Sequence, residues 1–379
     1  MTNISQNMQT KDGVYSRQIA FAAAFLLPMA KLLETPHILA KYAVGDLLVP
    51  ALLHSLVEIL VLLGVLYAAS RSEIPLIERL KTALGKGIYF VYALYAAYFL
   101  FAAVLPLLDM EKFVYAAFFD TAPTTFSFAF FFVFSAFVCT KGLKSVARSA
   151  DICLFLFLLP FLALIVMGFT AADFSTLLPL FERDFSAYAT SFRRTKPYFS
   201  DVVLLLPLLA NLSYKKGDGA KITLGYAAGT TCVLLFLSVF FGIFSSLAPR
   251  EHYAFSKIAQ YFPALSVVGR IDLVFVYLLS IVLLFYTCLP LQYTTNLLAD
   301  IFGTKRKTLL SALLNFFLFL GVLFLNKYYD IIHNLISGNL FFIFILIADM
   351  VPLFLLFLPN SVPKKNKKSK AKEKKKAYA

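Results

Sequence analysis

The sequence predicts an all-α polytopic membrane protein: ten transmembrane helices in a 5+5 inverted repeat, with helices 1 and 6 broken. Three observations lead there. The 379 residues are 60% hydrophobic and only 15% charged, with a mean hydropathy of +0.79, whereas a soluble chain carries about a quarter charged residues. The apolar residues fall in ten runs long enough to cross a bilayer as helices, separated by short polar breaks. The first and sixth runs, at corresponding places in the two halves, are each interrupted by proline, the pattern left by discontinuous helices at a midplane binding site.

The runs are 17–39, 47–69, 88–108, 123–139, 152–170, 198–213, 222–247, 271–298, 308–326 and 339–359. An even number puts both termini on one side, and positive charge selects the side. With the N-terminus inside, the inner segments before the tail hold fifteen Lys and Arg and the outer segments ten, so both termini are expected in the cytoplasm. The cluster "RRTK" (Arg193–Lys196) falls in an outer segment against this rule, so it is expected to be paired or to contact a partner. Short surface helices are expected in Ser72–Gly87, Thr176–Phe192 and Arg250–Phe262, where apolar residues recur at helical spacing.

Three regions follow: a cytoplasmic N-terminal segment (1–16), one membrane domain (17–359) and a lysine-rich tail (360–379). Residues 1–15 lack a basic n-region and a small-residue cleavage site, so the first run is expected to stay in the membrane. The tail carries nine lysines against one glutamate and no apolar face, and is expected to be disordered. Anionic lipid headgroups or a solvated topology anchor both account for it. Nucleic acid is not expected, because no aromatics interleave the lysines before Tyr378. Cys139, Cys153, Cys232 and Cys288 show no paired spacing and read as small hydrophobes.

The candidate site starts from "PMAKLLETP" (Pro28–Pro36), which places two prolines, Lys31 and Glu34 inside the first run. An unpaired charge at the bilayer centre costs at least about 2.5–3.5 kcal/mol, so such groups face each other or a polar cavity. Lys31 and Glu34 are three apart and could pair on a helix, or could meet the carboxylate and amine of a zwitterionic ligand. In the sixth run, Pro207 lies about as deep as Pro28, with Asn211 one turn on. Tyr92, Tyr95 and Tyr98 form a stripe that reads as a pocket wall or as aromatic packing. His54 and Glu58, four apart in the second run, and Asp349 in the tenth are candidates for proton coupling or for fastening helices together. There is no HExxH, Walker loop or GxSxG, and His37, His54, His252 and His333 show no metal-ligand spacing, so neither an enzyme nor a cofactor or metal is expected.

Several segments carry a family resemblance: "SRQIAF" (Ser16–Phe21), "LIERLKTALGKG" (Leu76–Gly87), "KGLKSVARSADI" with Gly142, Arg148 and Asp151, "LLPLF" (Leu177–Phe181), and "GRIDLVFVY" with Arg270 and Asp272. Through them the chain, over about 14–360, resembles the B-subunit permeases of bacterial spore germination receptors, a branch of the amino acid–polyamine–organocation transporter superfamily. The resemblance implies the ten-helix inverted-repeat fold and a small-nutrient pocket, typically for an amino acid, between broken helices 1 and 6. It also implies A- and C-subunit partners in a spore inner membrane. The chain departs from the family in carrying "PMAKLLETP" where a glycine-containing turn is usual, and in having no tryptophan.

The leading expectation is a germinant-receptor-like permease. Lys31 and Glu34 would contact the ligand, Pro28, Pro36 and Pro207 would hold the breaks open, Asn211 would lie beside them, and Tyr92 and Tyr95 would form a wall. An autonomous secondary transporter, proton-coupled through His54, Glu58 or Asp349, and a non-transporting membrane scaffold are the alternatives.

Overall fold

The computed structural model describes residues 14–72, 74–118, 124–179, 181–262 and 272–359. The lysine-rich tail and the charges Lys11 and Arg270 therefore lie outside the described residues. Among these residues all regular structure is helical, apart from one isolated bridge between Val14 and Leu212.

The first run breaks where its sequence says it should. α1 (Ser16–Phe21) loosens into a π turn at Ala22–Leu26 and a 3-10 segment at Leu27–Leu32, where Pro28 has no N–H to give. Helix α2 (Thr35–Ala43) restarts with Pro36 in its first turn, a position that tolerates proline. The two halves meet at 62°. At the break, the Leu33 carbonyl accepts the backbone N–H of Ala254 at 2.9 Å, so its polar group is not left bare in an apolar core.

α3 (Leu48–Ser70) follows, then the surface helix α4 (Leu76–Leu84), which stops at Gly85 in a left-handed conformation. The guanidinium of Arg79 on α4 is buried and donates to the carbonyls of Ala68, Leu358 and Pro359, tying α4 to the ends of two other helices. Next come α5 (Ile88–Phe118), α6 (Thr124–Cys139) and α7 (Leu143–Ala171). The second half holds α8 (Phe185–Thr195), α9 (Asp201–Ala210), α10 (Asp218–Phe244) and the short α11 (Ala254–Tyr261). It ends with α12 (Asp272–Phe302), α13 (Lys307–Asn326), α14 (Tyr329–Asn334) and α15 (Phe341–Phe344), the last running into a π turn at Ile345–Met350.

Six of these stretches are long and apolar enough to cross a bilayer unaided, and two bent pairs raise the number to eight. One bent pair is the first run. The other is Tyr329–Asn339 with Phe341–Phe357, bent by 55°, so the last run starts earlier than expected and is itself broken. The expected ten is not reached by length and composition, because α6 has 16 residues and α9 only 10.

The sixth run differs most from expectation. Pro207 lies inside the continuous helix α9, and Asn211 closes that helix by donating to the Pro207 carbonyl at 2.8 Å. The chain instead breaks earlier, at Phe199 and Ser200, after a 3-10 turn at Lys196–Tyr198 that continues α8. The segment expected to be an outer surface helix thus leads straight into the core.

The tyrosine stripe of α5 also has a clear placement. Tyr95 packs on Phe99, which lies 5.3 Å from Tyr293 of α12, and Tyr92 makes an edge contact with Tyr89. Both tyrosines thus pack on aromatic rings of their own helix, and neither lines the cavity described below.

Two glycines set how closely α10 approaches the first run. A Cβ on Gly225 would sit 2.5 Å from the Ala20 carbonyl oxygen, and one on Gly229 2.4 Å from that of Ala23. Four residues apart, they form the small-residue seam that lets two helices touch backbone to backbone. Gly229→Ala is therefore expected to destabilise by about 1–3 kcal/mol through overpacking. Gly321→Ala on α13, where nothing lies within 4 Å, should be neutral or stabilising. Unfolding of the two purified variants in detergent, compared side by side, checks this.

Candidate ligand site at the broken helices

The two breaks bring one lysine and one aspartate together. Lys31, in the 3-10 segment of the first break, donates to Asp201 Oδ1 at 2.6 Å, and both side chains are about 95% buried. Asp201 is the first residue of α9, where a carboxylate complements the positive helix end. Its second oxygen accepts the hydroxyl of Tyr226 on α10 at 3.1 Å. The Lys31 ammonium also lies 5.2 Å from the Phe199 ring centre and 3.4 Å from the Leu27 carbonyl. Beside the pair is a cavity of about 10 Å³, room for roughly one water. Pro28, Ser55, Phe199, Tyr226 and Gly229 help to line it.

A second buried cluster adjoins the sixth break. Lys196 has no exposed surface. It donates to Glu58 at 2.9 Å, to Asp349 at 2.9 Å and to the Phe199 carbonyl at 3.0 Å, which uses all three ammonium hydrogens. The other Glu58 oxygen accepts the backbone N–H of Val202 at 2.9 Å and so caps α9. Asp349 reaches the cluster from the π turn of the last run. His54, one turn before Glu58, is sandwiched between Phe192 and Phe199 at 3.8 and 4.4 Å. Its Nε2 lies 3.0 Å from the Thr195 hydroxyl, which already donates to Ser191 and so accepts from the ring. His54 and Glu58 thus share a face, but bind Thr195 and Lys196 rather than each other.

A third group links the same junction to the last run. Asp109 of α5 accepts the hydroxyls of Tyr198 and Tyr329 at 2.7 and 2.6 Å. Glu34 is drawn the other way. It lies 3.0 Å from His252 Nδ1 on the loop before α11, not beside Lys31. That hydrogen bond holds the His252 pKa above its ordinary value against the opposing effect of burial, so the contact strengthens when the imidazole takes its second proton.

The structure therefore brings Lys31 and Pro28 to the cavity, and gathers Glu58 and Asp349 around a common cation. It places Glu34 at the break but against His252, Pro36 just beyond the break, and Tyr92, Tyr95, Pro207 and Asn211 outside the cavity lining. Asp201, Lys196 and Asp109 were not anticipated as site residues. A signal for the first two was present: each break carries a lysine followed within five residues by an acid, Lys31 with Glu34 and Lys196 with Asp201. The expectation that "RRTK" is paired holds for Lys196, and Arg194 donates to the side chain of Asn334 at 3.1 Å.

Discontinuous helices that meet over buried charges inside a multi-pass bundle define a transporter-like membrane protein. Solved structures agree at the level of the fold. MhsT in complex with L-phenylalanine superposes with a TM-score of 0.66 at 12% identity, covering 90% of this chain and 87% of that one. The Eremococcus coleocola manganese transporter, in complex with an aromatic bis-isothiourea substituted compound, gives 0.52 at 13% identity, over 90% and 78%. No curated protein matches the chain in sequence. The sequence model of the spore permease family, described as spore germination protein, matches residues 32–330, and the chain belongs to that family. It is a family of membrane permeases, not of enzymes.

Removing one partner of a buried ion pair costs about 3–5 kcal/mol. Lys196→Met, which strands two carboxylates, should lose at least that much stability, while Arg193→Met, at an exposed position three residues earlier, should stay within about 0.5 kcal/mol. Chemical unfolding of the purified variants distinguishes the two.

Proposed function

We propose that this chain is the permease subunit of a germinant receptor, and that it recognises a small zwitterionic nutrient, an amino acid, at the junction of the two breaks. The observation that carries the reading is the buried Lys31–Asp201 pair at 2.6 Å, beside a cavity lined by both broken runs. A ligand carrying a carboxylate and an ammonium group can replace each half of that pair: its carboxylate takes Lys31 and its ammonium takes Asp201. Each buried charge then keeps an opposite partner, so recognition avoids the penalty of stranding one. The cavity is far smaller than an amino acid, so binding requires the breaks to separate. In this reading α6 and the α8–α9 unit complete ten spans in two inverted halves, both termini are cytoplasmic, and the membrane is a spore inner membrane. The A and C receptor subunits and anionic lipids at the tail are its partners.

One observation favours a second reading, an autonomous proton-coupled transporter. Among the described residues at the junction, the cations paired with Glu58, Asp201 and Asp349 are the ammonium groups of Lys31 and Lys196. Three carboxylates against two cations is a charge count that a coupled proton would balance.

The test is thermal unfolding of the purified chain against a panel of amino acids, nucleosides and sugars. At 100 times Kd, binding should stabilise the native state by about 2.7 kcal/mol. The double variant Lys31→Gln/Asp201→Asn, which removes both charges together, should fold and lose the shift. A shift retained in that variant would overturn the proposed site. No shift with any compound would point to a scaffold or to a site that needs the partner subunits. Proton-driven uptake into vesicles containing this chain alone would establish the second reading.

A further inference from the structure

Glu34, His37 and His252 form a cluster that ligand recognition at Lys31 does not use. Glu34 sits at the first-helix break, His37 three residues on in the first turn of α2, and His252 on the loop between Ser245–Arg250 and α11. One ligand atom from each lies within 4.8 Å of the other two. Glu34 Oε2 is 3.0 Å from His252 Nδ1, and the two imidazole rings are 3.9 Å apart, centre to centre. His37 Nδ1 is buried with no hydrogen-bond partner. Packing does not explain this arrangement: a buried ring nitrogen without a partner costs free energy, and two imidazoles stacked beside one carboxylate place three metal-ligand groups together. A shared cation would engage all three.

We propose that Glu34, His37 and His252 bind a divalent transition metal of the zinc class, which bolts the first-helix break to the loop before α11. The donor set selects the metal. Two imidazoles and a carboxylate suit zinc, with bonds of about 2.0–2.2 Å, whereas magnesium and calcium prefer all-oxygen shells. Ligand atoms of a tetrahedral site lie about 3.4 Å apart, so the cluster closes by side-chain rotation of about 1 Å. His252, with 54% of its side chain exposed, has that freedom and opens the site to water, while Glu34 is buried. Three protein ligands leave the fourth position for water. The metal would strengthen a clasp already made by the Leu33–Ala254 backbone hydrogen bond.

Titration calorimetry of the tag-free full chain in detergent with Zn²⁺ tests this, with Co²⁺ absorption in the visible reporting the coordination. One equivalent should bind and raise the unfolding temperature. His252→Ala, His37→Gln and Glu34→Gln should each weaken binding by about tenfold or more. No binding by the unmodified chain would overturn the proposal. So would unchanged affinity in His252→Ala, which by exposure should fold normally and alone decides the matter if either of the other two fails to fold. The Lys31→Gln/Asp201→Asn variant should still bind Zn²⁺, so failure of the metal site and failure of the nutrient site are read separately.

Discussion

Lys196 has no exposed surface, and its ammonium is shared by carboxylates from α3 and from the last run, nearly 300 residues apart in sequence. Much of the core arrangement depends on that contact. It allows the sixth run to stop being a helix at Phe199, because the lysine takes the carbonyl released there while Glu58 takes the N–H of Val202 on the far side. With both ends of the break satisfied, Asp201 can begin α9 at the place where it meets Lys31. Buried ion pairs contribute little net stability compared with apolar packing, but they punish misplacement. Here they fix the registry of four segments at once.

The first break was legible and the sixth was misplaced, for a physical reason. Pro28 and Pro36 flank a lysine and a glutamate, and no continuous lipid-facing helix would carry both features. In the sixth run the conspicuous proline is Pro207, yet it lies inside α9, which runs on to Ala210 and is closed there by Asn211 donating to the Pro207 carbonyl. The actual break is marked by charge, Lys196 and Asp201, on either side of an uncharged step. The sequence reading placed Lys196 in an outer segment, because lysines in apolar proteins usually sit outside the bilayer, whereas the structure buries it completely. Its two carboxylate partners are non-local, and no spacing within the sequence announces them.

Partner choice was the other illegible quantity. Lys31 and Glu34 have the spacing of a helical pair, but the backbone between them is not helical, so Lys31 turns inward to Asp201 and Glu34 turns to His252. Likewise His54 and Glu58 have the right separation for a relay, but each meets a successive residue of the same turn. Membership of the spore permease family gives the bundle its setting. The likeness to MhsT and to a manganese transporter is one of fold.

The Lys31–Asp201 pair has an electrical consequence. Moving one elementary charge across a membrane costs or yields about 2.3 kcal/mol per 100 mV. A pair holding one positive and one negative group 2.6 Å apart presents almost no net charge to that field. A zwitterion that takes its place brings none either. Recognition of the kind proposed for this junction would therefore be indifferent to membrane voltage, and a cell with a collapsed potential would read its surroundings through it as well as an energised one.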